Sequence, residues 1–375
     1  MVAMRGYCFF GATVSVTSDA PAIARWLDEF LQPAFEPWTG PAELAVSVRT
    51  DPAAHAALAA TRPPGALGEA ACFALDSQVV SHPTWRAGGR TVLADAKYGA
   101  LYALDATAAE VIAVPDSVLF RGGVMRIVRE LVTTRALVSA NRIQLHAAAC
   151  EVDGRAVLIM GPKGAGKTTL LAYLAASTGA RILTNDRAVA ERDDGGFLVR
   201  GVPTVVSVRP EARALVPRLY RGMTLDRAAH LTLAELEAAT RNGDRPAVTT
   251  RLRLSPLQLA RQLGVALASD GRLAAVVFPV SAAARESLTI ERLPADVAVR
   301  ELRASRFGAS SGKAAATVFE RRLCGQRPVD ADATLVEAIA ERVPCFTVRL
   351  GAGRFAEPHA ATALLRTVLA APEAA

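Results

Sequence analysis

The sequence predicts an α/β protein of two domains, a small N-terminal α/β domain over residues 1–140 and a larger domain over residues 141–375. Three observations carry this reading. The chain has 375 residues, 51% of them hydrophobic, enough for two cores at roughly 100–200 residues per domain. Short strand-like alternations are interleaved with stretches of helical periodicity throughout. Residues Gly161–Thr168 read G-x-x-x-x-G-K-T between an apolar run and a helix former, a strand–loop–helix setting.

The elements follow in order. Tyr7–Val16 alternates like a first strand. Ser18 and Asp19 then stand where they can cap a helix over Pro21–Leu31, with Pro at its start. Ile23, Trp26, Leu27 and Phe30 fall at helical spacing and form its core face. Leu44–Val48 reads as a strand, and the Ala/Pro/Gly-rich residues 51–70 read as loop. Short strands follow at Val92–Ala94, Ala100–Leu104 and Val111–Val114. An amphipathic helix over Val124–Ser139, with Ile127, Leu131 and Val138 as its stripe, closes the first domain. In the second, Ala156–Met160 is a buried strand and Thr168–Ala176 a helix. The best late strand is Leu273–Val280.

Composition excludes several classes. Five cysteines, Cys8, Cys72, Cys150, Cys324 and Cys345, are scattered and never spaced C-x-x-C, which rules out a disulfide scaffold or a Cys-rich zinc module and points to a reducing, cytoplasmic setting. The longest apolar run, Leu273–Ala284, is broken by Pro279 and Ser281 and falls short of the ~20 residues a bilayer span needs. No membrane partner is expected. The net charge is +7. Residues 200–261 hold 11 Arg against five acids, but Tyr220 is their one aromatic residue. A nucleic-acid platform interleaves aromatic rings with cations, so the stretch reads as an Arg-rich solvated face.

The glycine-rich loop carries the chemistry. Gly161, Gly164 and Gly166 let the backbone curl so that successive N–H groups point inward. With the helix N-terminus they make an anion site. Pro162, Lys163 and Ala165 complete the loop, and Thr169 follows it. Lys167 supplies a compact charge for β- and γ-phosphates, and the Thr168 hydroxyl is placed to ligate Mg²⁺. Only four lysines occur, Lys97, Lys163, Lys167 and Lys313. Two of them lie in this one loop, which sets the motif apart from composition.

An acidic partner is needed. The segment Arg181–Ala190 holds a short apolar strand that ends in Asn185-Asp186. A carboxylate at a strand end can hold the Mg²⁺ shell or orient a nucleophile. The late strand carries no terminal acid, and no N-K-x-D guanine-reading motif occurs, so transporter, motor and GTPase classes fit poorly. His146 sits on the strand before the loop strand and has an imidazole able to orient an acceptor hydroxyl. Phosphoryl transfer also uses a further cation. Arg187, Arg200, Arg251, Arg253 and Lys313, the last in the Gly/Ser-rich loop Ser305–Lys313, are the candidates.

One connected block gives a resemblance: Leu145-His146-Ala147-Ala148, Asp153-Gly154, Ala156–Met160, GPKGAGKTTL, then Leu183-Thr184-Asn185-Asp186. Over about residues 143–350 the chain resembles the HPr kinase/phosphorylase-like P-loop kinases, relatives of phosphoenolpyruvate carboxykinase. The resemblance implies a P-loop domain with a mixed β-sheet core, ATP and Mg²⁺ as cofactors, and a homo-oligomer. It implies Lys167, Asp186 and His146 as catalytic residues, with Thr168 and Asp186 at the metal. Residues 1–140 do not resemble that family's sensor domain. The family's acidic pair is Asn185-Asp186 here, so only Asp186 carries over, and no HPr-reading signature follows. The expected activity is ATP-dependent transfer of phosphate to a hydroxyl of a peptide, protein or small molecule, with the N-terminal domain recognising the acceptor. The alternative, motivated by Asn185, is a nucleotide-binding switch or scaffold that transfers nothing. A carboxykinase reading rests on Gly-Lys-Thr-Thr alone.

Overall fold

The computed structural model describes residues 2–64, 68–73, 79–113, 118–139, 141–209, 228–241, 252–282, 287–306, 331–351, 355 and 357–371. The protein is mixed α/β, with nine α-helices among the described residues. The chain divides into two compact units. One comprises the residues up to Val138 together with His230–Thr232. The other begins at Ser139.

The first unit is built on a nine-stranded sheet in the order β3-β1-β2-β4-β9-β8-β7-β6-β5. Its elements are β1 (Ala3–Phe9), β2 (Ala12–Ser18), α1 (Pro21–Leu31), β3 (Glu36–Pro37), β4 (Leu44–Arg49), α2 (Pro52–Ala60), β5 (Gly68–Phe73), β6 (Val79–Ala87), β7 (Arg90–Asp95), β8 (Ala100–Leu104), β9 (Ala108–Ala113) and α3 (Phe120–Ala136). β2, β4 and β9 are parallel, and the other pairs are antiparallel. Helix α1 forms as expected, with Ile23, Trp26, Leu27 and Phe30 at most 1% exposed. Each such side chain contributes about 1.5–3 kcal/mol on burial.

Four expectations are corrected in this unit. The strand expected over Tyr7–Val16 is a hairpin, because Phe10 and Gly11 both take positive φ and turn the chain. Ser18 and Asp19 do not cap α1, whose N-cap is Ala20. The Asp19 carboxylate instead accepts from the Thr50 N–H and hydroxyl at 2.8 and 3.0 Å. The expected loop after residue 51 holds α2, which Asp51 caps by accepting from Ala54 N–H at 2.9 Å. Helix α3 starts a turn earlier than expected, at Phe120. The glycines in that turn are packing positions: a Cβ on Gly122 would lie 2.6 Å from the Tyr98 ring, and one on Gly123 2.6 Å from the Tyr102 hydroxyl.

Behind α3 lies a buried polar network. Asp95 accepts from Tyr102 OH at 3.0 Å and from Arg126 at 2.8 Å, and His82 Nε2 lies 3.4 Å from Arg126. Burial pushes the His82 imidazole below its ordinary value and Arg126 adds to this, while Asp95 opposes both. The unfolded chain takes up that proton near pH 6.5 and the folded chain resists it. Stability is therefore expected to fall as pH drops through about 6.5. Urea midpoints at pH 7.5 and 5.5 check this: the drop should be smaller in His82→Gln, and an equal drop contradicts it.

The second unit contains β10 (Arg142–Leu145), β11 (Ala147–Val152), β12 (Arg155–Met160), α4 (Lys167–Thr178), β13 (Arg181–Thr184), β14 (Arg187–Asp193), β15 (Gly196–Val202), β16 (Val206–Val208), α5 (Leu233–Arg241), β17 (Leu252–Leu254), α6 (Pro256–Leu263), β18 (Asp270–Ala282), β19 (Thr289–Arg292), α7 (Ala295–Ala304), α8 (Ala331–Arg342), β20 (Cys345–Gly351) and α9 (Pro358–Ala370). Its main sheet runs β10-β14-β15-β18-β12-β11-β13, with β20 added beside β18 and β19 beside β20. The sheet is mixed: β12, β18 and β20 are parallel neighbours, and the rest pair antiparallel. One face packs Ile143, Leu145, Leu158 and Met160 against Leu302, Leu335 and Ile339 of α7 and α8. Helix α4 packs on β11, β12 and α9. Its segment Leu170–Ala175 is buried throughout.

Two strand pairs in this unit are really one ladder with an opening. Leu145 faces Ala188 on β14, and four residues on, Ala149 faces Thr184 on β13. These two pairs share one register, which shifts by a residue between Ala149 and Cys150, so His146 lies across from Arg187, with Asn185 and Asp186 in the gap. There His146 N–H turns away from β14 and donates to Ser305 O at 2.8 Å. Gly201 lets β15 approach the end of β13, since a Cβ there would lie 2.0 Å from Leu183 O. Gly201→Ala is expected to cost about 3 kcal/mol, roughly 6–12 °C in Tm by calorimetry. An unchanged Tm contradicts this packing.

Candidate functional site

The phosphate loop leaves β12 at Met160 and enters α4 at Lys167. Gly161, Gly164 and Gly166 have φ of 139°, 92° and 92°. This is the left-handed side of backbone space, which only glycine enters at little cost. Ala165 N–H donates to Pro162 O at 3.1 Å and tightens the loop. Lys167 is 8% exposed. Its Nζ donates to Gly161 O at 2.7 Å and Pro162 O at 3.3 Å. The ammonium is thus folded over the loop that it would share with an anion. Pro162, Lys163 and Gly164 are exposed, while Ala165, Gly166, Thr168 and Thr169 are half-buried at the start of the helix.

The structure brings His146 and Asp186 together. His146 stands in the one-residue break between β10 and β11, rather than within a strand as expected. Its Nε2 lies 3.1 Å from Asp186 Oδ1, and Arg187 Nε lies 3.9 Å from Oδ2. Met160, the last residue before the loop, pairs with Ala147, which puts His146 at the mouth of the loop. Burial pushes the Asp186 carboxyl up. The hydrogen bond from His146 and the charges of Arg187, His146 and Lys167 outweigh burial and hold it below the usual carboxylate range. Asp186 is therefore an anion facing the loop lysine.

Of the other candidates only Arg187 joins this pair. Asn185 is buried, and its Oδ1 accepts from the Thr204 hydroxyl at 3.0 Å, so it serves as an anchor of the β13–β14 link. Arg187 is 1% exposed at its side chain, beside Asp186. Arg200 Nη2 lies 3.8 Å from Asp270. Arg253 is exposed on β17. Arg251 and Lys313, with all of the Ser305–Lys313 loop beyond Arg306, lie outside the described residues. The sequence reading missed Ser305, Thr204 and Gly201. The signal for Gly201 is a glycine inside an alternating strand. Ser305 and Thr204 act through contacts distant in sequence and leave no local signal.

Among the described residues no three His, Cys, Asp or Glu side chains group as a metal site. The two residues expected at a metal are Thr168, half-buried at the start of α4, and Asp186, beside His146. That sparse set fits Mg²⁺, which keeps waters and takes substrate phosphate oxygens instead of an all-protein cage. No described helix is long and apolar enough to cross a membrane. Cys8, Cys150 and Cys345 are free thiols. No protein-family model and no curated protein matches this chain.

Proposed function

We propose that the protein is an ATP-dependent kinase that transfers phosphate to a hydroxyl of a peptide, protein or small molecule, as the resemblance to the HPr kinase/phosphorylase-like group implies. The observation that carries the reading is the His146–Asp186 pair, held in a ladder opening at the mouth of a complete phosphate loop. In this reading the loop N–H groups and Lys167 bind the β- and γ-phosphates. Lys167 exchanges two backbone carbonyls for phosphate oxygens. Thr168 and Asp186 would hold Mg²⁺, which when bound neutralises charge on the phosphate oxygens. His146 orients the acceptor hydroxyl toward the γ-phosphate, with its own ring fixed by Asp186. The direct test is transfer from γ-labelled ATP to a Ser/Thr/Tyr peptide array and a small-alcohol panel. Labelling of no acceptor, with ATP bound, contradicts the kinase reading.

One observation favours the second reading, a nucleotide-binding switch without transfer. A neutral, buried Asn185 tied to Thr204 stands where the resembled family has an acid. Asn185→Asp separates the two readings. Under the kinase reading the variant transfers no faster than wild type and melts lower, because a carboxylate replaces a buried neutral amide. A silent wild type that gains transfer on this change makes the protein a switch.

A further inference from the structure

The carboxylate of the candidate site stands on a short link between strands. β13 ends at Thr184 and β14 begins at Arg187. Asn185 and Asp186 join them, and among the described residues neither belongs to a strand pair. A link outside a ladder keeps its backbone freedom unless side chains or packing remove it. A group used in chemistry has to be held within about 0.5 Å of its working position. His146 and Arg187 reach Asp186 only at its carboxylate end. The backbone behind that carboxylate needs its own support.

The support comes from the end of β15. Thr204 stands just beyond that strand, wholly buried, and its hydroxyl donates to Asn185 Oδ1 at 3.0 Å. With the amide turned over, the hydroxyl accepts from Nδ2 instead, so the tie survives either assignment. One residue earlier, Thr184 Oγ1 donates to Val202 O at 3.3 Å. One before that, Leu183 O approaches Gly201 so closely that a Cβ there would lie 2.0 Å away. Leu183, Thr184 and Asn185 are thus each seated on the segment Gly201–Thr204, and Asp186 is the next residue out. A neutral amide suits this place. Asn185 is buried, and an acid there would add a second buried negative charge beside Asp186.

We infer that Thr204 is a positioning residue for Asp186, acting through Asn185. This rests on the kinase reading only for the Mg²⁺ role of Asp186. Thr204 touches no reacting atom. Its hydroxyl holds the Asn185 side chain, Asn185 fixes the link, and the link aims the next carboxylate at His146 and the loop lysine. The amide at 185 then serves the site by holding its neighbour, a task that needs no charge.

The readout is the gain in ATP affinity on adding Mg²⁺, measured by calorimetry on the full chain without acceptor. Wild type is expected to gain about tenfold, and Asp186→Asn nothing. Thr204→Val keeps the shape and removes the hydroxyl. It should gain less than about threefold, with affinity in the absence of Mg²⁺ within about twofold of wild type. Thr204→Ser returns the hydroxyl and should recover the gain. Thr204→Val also leaves the Asn185 amide with an unmade bond in the interior and should melt lower, so a further variant separates aim from stability. In Thr204→Val combined with Asn185→Leu both partners become apolar, which costs the fold little, and the gain should still be lost. A gain that returns with the Tm in that double variant makes Thr204 a stability residue alone and overturns the inference. So does a full gain in Thr204→Val, or no gain in wild type. None of these readouts needs phosphate transfer. The kinase reading fails separately, when wild type binds ATP and labels no acceptor.

Discussion

Lys167→Ala is expected to weaken ATP binding by about 10- to 100-fold and to abolish phosphate transfer. The arithmetic follows from one lost charge-assisted contact. A hydrogen bond to a charged group is worth about 1.5–3 kcal/mol, and each 1.4 kcal/mol is tenfold in affinity. The ammonium sits 2.7 Å from Gly161 O at the neck of the loop, so the loop keeps its shape through its glycine backbone when the side chain goes. The variant should therefore melt close to wild type. Lys167→Arg is expected to fail nearly as badly. A planar guanidinium is larger than the point charge this 8%-exposed position encloses. Titration of a fluorescent ATP analogue into the three proteins checks both statements. Wild-type affinity in Lys167→Ala contradicts the loop as a nucleotide site.

The second large effect is at Asp186. Asp186→Asn keeps the shape and removes the charge that His146, Arg187 and Lys167 all face. Transfer is expected to fall on the order of 10²–10³-fold, the usual loss when one preorganised electrostatic group is removed. ATP binding in the absence of Mg²⁺ should change little. The substitution also alters the acid limb of stability. The folded Asp186 carboxyl titrates below its ordinary value, so its contribution is present above the unfolded value near 3.8 and is lost as pH falls through the folded one. Denaturant melts between pH 6 and pH 3 should therefore be shallower in Asp186→Asn. In addition, Arg187 is left buried beside a neutral amide, a destabilisation at neutral pH. Full transfer by this variant would remove Asp186 from the chemistry.

Much of the second unit was legible because its key signals are local. The phosphate loop is one short stretch in which glycine positions, lysine and threonine are each required by backbone geometry or charge. The buried strand before it and the helix after it follow from a run of apolar residues and a run of helix formers. In the first unit α1 was legible for the same reason: Trp26 and its neighbours recur at helical spacing. Helix α2 was missed although its cap, Asp51 on Ala54 N–H, is local; the other misreadings there share a cause. Asp19 bonds Thr50, Gly122 meets the Tyr98 ring, and the first strand folds back at Phe10 and Gly11. In each case a partner distant in sequence, or a backbone turn, overrides the local pattern.

By itself, then, the sequence determined the α/β character and the glycine-rich loop between a buried strand and a helix. Those properties belong to short segments, where spacing and side-chain identity suffice. Only the tertiary structure decided which of the candidates meet. His146 and Asp186 stand 40 positions apart and touch because β10 pairs with β14 and β11 with β13, and the chain opens between the two antiparallel pairings. Arg187 is drawn into the same opening, Asn185 is turned to Thr204, and Arg253 is left outside. Register is a property of paired strands, and no single strand contains it.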